Sequence, residues 1–128
     1  QEDDNKEKQQ AGFLQLNVDI FQTSEELVII APIPGVEVKA LDITIENEND
    51  VVTIQGRRDL PLEENEEEAQ EKKYLRQECE WGQFYRQIIL PQEVDVSRID
   101  ARFRKGILTL TMPLLRLQGK GKKRIEVK

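Results

Sequence analysis

The 128-residue chain has no histidine, one cysteine, one methionine and one tryptophan. Each scarcity removes a class of function. Without histidine the usual general base near neutral pH is gone, and so is the commonest metal ligand. Cys79 has no imidazole to take its proton, so a small apolar strand residue is a better reading of it than a nucleophile. A single thiol makes neither an internal disulfide nor a cysteine-based zinc site within one chain. "GKGKK" at 119–123 lacks the first Gly of a phosphate loop, a Ser or Thr after its Lys, and a following helix. No apolar run approaches the roughly 20 residues that a membrane span requires. No secretion signal is visible, which makes a reducing cytoplasm the default compartment. A net charge of -6 argues against nucleic-acid binding, which needs excess cation to displace counterions. These absences leave no catalytic residue, no metal site and no cofactor to assign, and an enzyme is not expected.

What is present is β pattern. The chain is 38% apolar and 34% charged, enough for one modest core under a wet surface. From Val18 onward the apolar period is two. "LDITIEN" puts Leu41, Ile43 and Ile45 on one face and Asp42, Thr44 and Glu46 on the other. "NVDIFQT", "EELVIIAP", "VVTIQGRR", "FYRQIILP", "IDARFR" and "ILTLTMP" read as further strands, with prolines at run ends or in connections. The spacing predicts an all-β protein built as an antiparallel β-sandwich. Residues 1–16, polar and mixed in charge, predict a largely disordered remnant of an N-terminal arm.

Two segments do not fit a plain sandwich. Six glutamates lie between Leu62 and Lys72, which predicts an extended, solvated loop. The loop runs into "YLRQECEW", where Leu75, Cys79 and Trp81 share a strand face with Gln77. Such an isolated strand, Tyr74–Glu80, needs an edge to pair with, on its own sheet or on another subunit. The second segment is the tail, where Ile125 and Val127 straddle Glu126 after a basic, Gly-punctuated run. A solvated tail has no need of two β-branched apolar residues.

"ARFRKGIL", residues 101–108, fits the pattern Ala, three variable residues, a turn residue, Gly, a β-branched residue and Leu. It closely resembles the α-crystallin domain of the small heat-shock proteins, with Ala101, Gly106, Ile107 and Leu108 as its signature. Gly106 supplies a positive-φ turn position, and Ala101 allows close packing. The family prefers Asn where this chain has Lys105. "APIPGVEVKALDITIEN" resembles the family's Pro-Gly corner and fourth strand. "WGQFYRQIILP" resembles its Gly-x-Phe-x-Arg-x-apolar-x-Leu-Pro strand, and "LPQEVDVSRIDA" the lead into its eighth strand. The resemblance covers roughly residues 18–127.

It implies an immunoglobulin-like sandwich with a long strand-swap loop and flexible terminal extensions. Residues 17–114 would be the α-crystallin domain, with loop and swapped strand at 60–80, and 115–128 the C-terminal extension. Ile125 and Val127 would be the family's tail motif, docking in a neighbouring subunit's groove lined by Ile43 and Ile45 on one side and Ala101 and Phe103 on the other. A short edge strand on the chain's own sheet is the other reading of the pair. Tyr74, Leu75, Cys79 and Trp81 would lie on a strand exchanged with a dimer partner near "VDIFQT". Arg86 would lie near that interface, or would form an ordinary surface salt bridge. The implied function is an ATP-independent holdase chaperone for partly unfolded clients, working as a homodimer and higher homo-oligomer. The family's N-terminal arm is usually longer and more apolar than residues 1–16. The alternative is a non-enzymatic β-sandwich co-chaperone or interaction module.

Overall fold

The computed structural model of the chain describes residues 12–46, 48–62, 65–115 and 123–128. Its strands are β1 (Asp19–Gln22), β2 (Glu26–Pro32), β3 (Asp42–Glu46), β4 (Val51–Arg58), β5 (Gly82–Ile89), β6 (Asp100–Arg104), β7 (Ile107–Pro113) and β8 (Lys123–Arg124). They form two antiparallel sheets, ordered β1-β2-β7-β6 and β5-β4-β3-β8. The all-β sandwich expected from the period of two is therefore the observed fold.

Alternation explains the core. On β2, Leu27, Ile29 and Ala31 point inward, and the register sets them opposite Met112, Leu110 and Leu108 of β7. Ile43, Ile45, Val52 and Ile54 supply the facing layer from β3 and β4, with Phe84 and Ile88 from β5. A one-residue slip of any of these strands would turn its whole apolar set to water, so the pattern specifies the register as well as the fold.

Two glycines serve the corners. Lys105 and Gly106 form the two-residue turn between β6 and β7, both in the left-handed region, with φ 52° and 78°. That is the turn whose twist matches antiparallel strands. Gly106 also packs on the Pro34-Gly35 corner, where a Cβ at position 106 would meet Pro34 Cα at 3.0 Å. Its carbonyl accepts from Ile33 N at 2.6 Å, and this bond ties the signature turn to the corner.

Two expectations need correction. The Glu-rich segment is not wholly extended: Glu66–Glu71 is an α-helix with no buried residue. Its start is capped by Asn65, whose side-chain oxygen accepts from Glu68 N at 2.8 Å. Glu66, Glu67 and Glu68 lie in the first turn, where the helix dipole favours negative charge and offsets part of their mutual repulsion. The stretch assigned to a disordered arm also ends in order. Leu14 bridges Phe84 in parallel, and Leu16 is buried in the core. Residues 1–11 of that arm lie outside the described residues.

Lys105 occupies a backbone region that costs an ordinary L-residue about 1–2 kcal/mol and that Asn tolerates better. Lys105→Asn should raise unfolding free energy by about 0.5–1 kcal/mol with an unchanged denaturant slope in urea melts.

Candidate functional site: a seam groove and two strand edges

The tail occupies the seam between the two sheets. β8 pairs with the outer edge of β3, Thr44 opposite Arg124 and Ile45 opposite Lys123. Ile125 N then donates to Ile43 O at 3.0 Å. Three residues on, the tail reaches the other sheet, where Lys128 N donates to Ala101 O and Phe103 N to Lys128 O, both at 2.8 Å. One extended segment thus satisfies backbone groups on β3 and on β6 at once.

Between these bonds the apolar pair is seated. Ile125 is 8% exposed and belongs to the same cluster as Ile43, Ile45 and Ala101. Val127 and Phe103 are partly buried against that cluster, while Glu126 is exposed. Strand alternation requires this, since neighbours in an extended chain point to opposite sides. The four groove residues named from the sequence are therefore brought together, and the tail pair lies on them.

In the single chain the groove is the chain's own. Within one chain the tail lies as an edge strand on its own sandwich. The seven residues between Leu115 and Lys123 reach at most about 25 Å. Two polar contacts flank the seat: Arg124 Nη1 lies 3.0 Å from Asp42 Oδ1, and Arg104 Nη1 donates to Lys128 O at 2.9 Å.

On the opposite flank, β1 is an edge strand with all four residues exposed, including Ile20 at 43% and Phe21 at 50%. Tyr74–Glu80 forms no strand in the single chain and does not fold back onto its own sheet. Leu75 is 92% exposed, Tyr74 and Trp81 are also exposed, and so is Cys79. Two segments with large apolar side chains are left facing solvent.

Arg86 sits on β5 opposite Ile54 and donates from Nη1 to the backbone carbonyl of Leu16 at 2.9 Å. This bond fastens the segment before β1 to β5. Leu14 N donates to Gln83 O at 2.7 Å, and the Phe13 and Tyr85 rings meet edge-on at 6.1 Å. Sequence reasoning misses this attachment, because Leu14 and Leu16 are two apolar residues in a polar stretch. Their spacing of two is the available signal.

Among the described residues no group of three or more Cys, Asp or Glu is placed to hold a metal ion, and no helix is long and apolar enough to cross a membrane. A surface pocket of about 440 Å³ is bordered by Gly35, Lys39, Arg57 and Asp59. Its charges are matched within the chain, since Lys39 pairs with Glu37 and Arg57 with Asp59.

A sandwich with a signature β6–β7 turn, a protruding acidic loop and a tail on the β3–β6 seam defines an α-crystallin-type domain. The sequence model of the Hsp20/alpha crystallin family matches residues 19–128, and the chain belongs to that family, the small heat-shock proteins. Membership supports a chaperone role. Small heat shock protein C2 of Rickettsia felis is 37% identical over 110 residues, covering 86% of this chain and 66% of that protein. A 16.9 kDa class I heat shock protein of Oryza sativa is 32% identical over 117 residues, covering 91% of this chain and 74% of that one. Among solved structures, heat shock protein 16.0 of Schizosaccharomyces pombe aligns with a TM-score of 0.69 at 26% identity, covering 91% of this chain and 78% of that one. A small heat-shock protein of Xylella fastidiosa aligns with a TM-score of 0.63 at 25% identity, covering 88% and 95%.

Removing the Arg86 guanidinium would leave the Leu16 carbonyl without its donor. Arg86→Ala should cost about 1–3 kcal/mol of stability. It should also speed amide exchange at Leu14 before any change appears in the β2–β7 ladder. Exchange monitored residue by residue by NMR checks the order of these losses.

Proposed function

We propose that the chain is an ATP-independent holdase, which captures partly unfolded proteins on apolar seams and strand edges and keeps them from aggregating. The observation that carries this reading is the seam groove, where Ile125 sits at 8% exposure on Ile43, Ile45 and Ala101 although its segment is a separate tail. Such a seat can be vacated. An extended client segment with apolar residues two apart meets the same requirements of backbone pairing and burial. Family membership and the absence of a phosphate-loop pattern support the same reading. A β-sandwich that only docks on another chaperone would not need a detachable tail or a long acidic loop.

Assembly follows from the same edges. Burying Ile125 and Val127 is worth roughly 1.5–3 kcal/mol each, while ordering strand residues costs about 1–2 kcal/mol apiece. A tail therefore leaves its groove readily. Grooves on identical subunits offer identical contacts, so exchange from the chain's own groove to a neighbour's changes little except loop entropy. Several such contacts hold an assembly through effective concentration while each stays exchangeable. Leu75 and Trp81, on their loop, match the exposed Ile20 and Phe21 of β1 as the two halves of a strand-exchange interface between two subunits.

Two measurements test this. A heat-denaturing client enzyme should scatter less light in the presence of the chain, equally with and without ATP; strict dependence on nucleotide would sink the holdase reading. For assembly, replacing Leu62–Glu80 by a short turn should give monomers in multi-angle light scattering. Ile125→Asp with Val127→Asp should stop at dimers with the sandwich still folded. A dimer that survives the loop deletion rules out strand exchange. A double change that leaves mass untouched but costs several kcal/mol assigns the pair to the chain's own core alone.

A further inference from the structure

The apolar part of the seam is undiscriminating. Its lining by Ile43, Ile45 and Ala101 is aliphatic and carries no charge to tell one apolar pair from another. Building on the reading of the tail as an exchangeable occupant, we propose that the groove also selects by charge. It takes an extended segment that carries Lys or Arg immediately before its Ile-x-Val pair, with Asp42 as the residue that reads this position.

The geometry is specific to one register and one direction. Thr44 lies opposite Arg124, which makes Asp42, two residues along β3, its diagonal neighbour on the same face. Arg124 Nη1 lies 3.0 Å from Asp42 Oδ1. The other carboxylate oxygen, Oδ2, accepts from Gln55 Nε2 at 3.2 Å across the β3–β4 pair, where Asp42 and Gln55 stand in register. Asp42 is therefore held on both oxygens, with Oδ1 towards the tail and Oδ2 towards β4. The tail's bonds to Ile43, Ala101, Phe103 and Arg104 all involve its backbone, which every sequence supplies. A segment entering in the opposite direction, or with Glu in place of Arg124, brings no cation to Asp42. With Glu it brings a like charge to a carboxylate whose side chain is only 32% exposed. Partners that fit are tails of the basic-Ile-x-Val type, from a second copy of this chain or a related one, and acidic-Ile-x-Val tails are turned away.

The test uses the full chain and amide exchange at Ile125 and Phe103, whose N–H groups bond only while the tail is seated. Arg124→Glu and Asp42→Arg should each speed exchange at both amides about two- to tenfold at low salt, the range for a partly exposed pair turned into a repulsion. The effect should shrink at roughly 1 M salt, where the screening length is about 3 Å. Arg124→Glu combined with Asp42→Arg should return exchange to within about twofold of the parent, while exchange at Ile29 in the core stays constant throughout. Charge selection is overturned if the single reversals have no effect, or if the double reversal exchanges as fast as the singles. Ile125→Asp separates the two readings. If it leaves Phe103 protected, the tail does not hold the seam and the underlying reading fails. If it opens Phe103 while the charge reversals do nothing, only the selection fails.

Discussion

The outer edge of β3, beside the apolar seam it shares with β6, is the constraint on which the rest of this molecule turns. An edge strand presents unpaired backbone donors and acceptors, and here Ile43 and Ile45 lie directly under that edge. Left open, such an edge pairs with any extended chain nearby. The tail answers both demands in one segment, with backbone bonds to Ile43 and Phe103 and side chains laid on the cluster. The cover is a short edge strand, β8, with the extended residues that follow it, joined to the sandwich by backbone bonds and by the burial of Ile125. On the other flank β1 is likewise an edge strand, with Ile20 and Phe21 exposed.

Charge gives these apolar edges their context. The loop helix Glu66–Glu71 buries nothing and keeps a dense anionic surface near the exposed Leu75 and Trp81. A net charge of -6 adds a long-range repulsion between copies of the chain. Arg124 with Asp42 on the seam and Arg86 with the Leu16 carbonyl beside β5 each place an arginine where an otherwise unspecific segment meets the sandwich.

The strands are legible in the amino-acid sequence, because burial on one face forces a period of two, and "LDITIEN" or "ILTLTMP" has no other economical reading. The groove residues are legible only through family resemblance; periodicity puts Ile43 with Ile45 and Ala101 with Phe103 but does not bring the two pairs together. The helix at Glu66–Glu71 escapes a reading that weighs the repulsion among glutamates without the Asn65 cap and the dipole that offset it. The docking of Leu14 and Leu16 escapes because two apolar residues carry too little periodic signal. Gly56 gives no sign of its importance either: a Cβ there would lie 2.6 Å from Phe84 Cζ and 2.7 Å from the Ala40 carbonyl oxygen. The demand for Gly at that point arises where β4 and β5 meet the connection before β3, and no local pattern announces it.

Local sterics decide what the sequence alone can say. Alternation along an extended chain puts Ile125 and Val127 on one side and Glu126 on the other whatever they are to touch, and the Lys105-Gly106 pair marks a tight turn wherever it falls. Which groove the tail enters, which carbonyl Arg86 holds and which carboxylate meets Arg124 depend on distances between segments far apart in the chain. Those distances exist only after the two sheets have packed, because loop closure and burial, not the conformational preference of any residue, bring β3 and β6 to opposite sides of one seam.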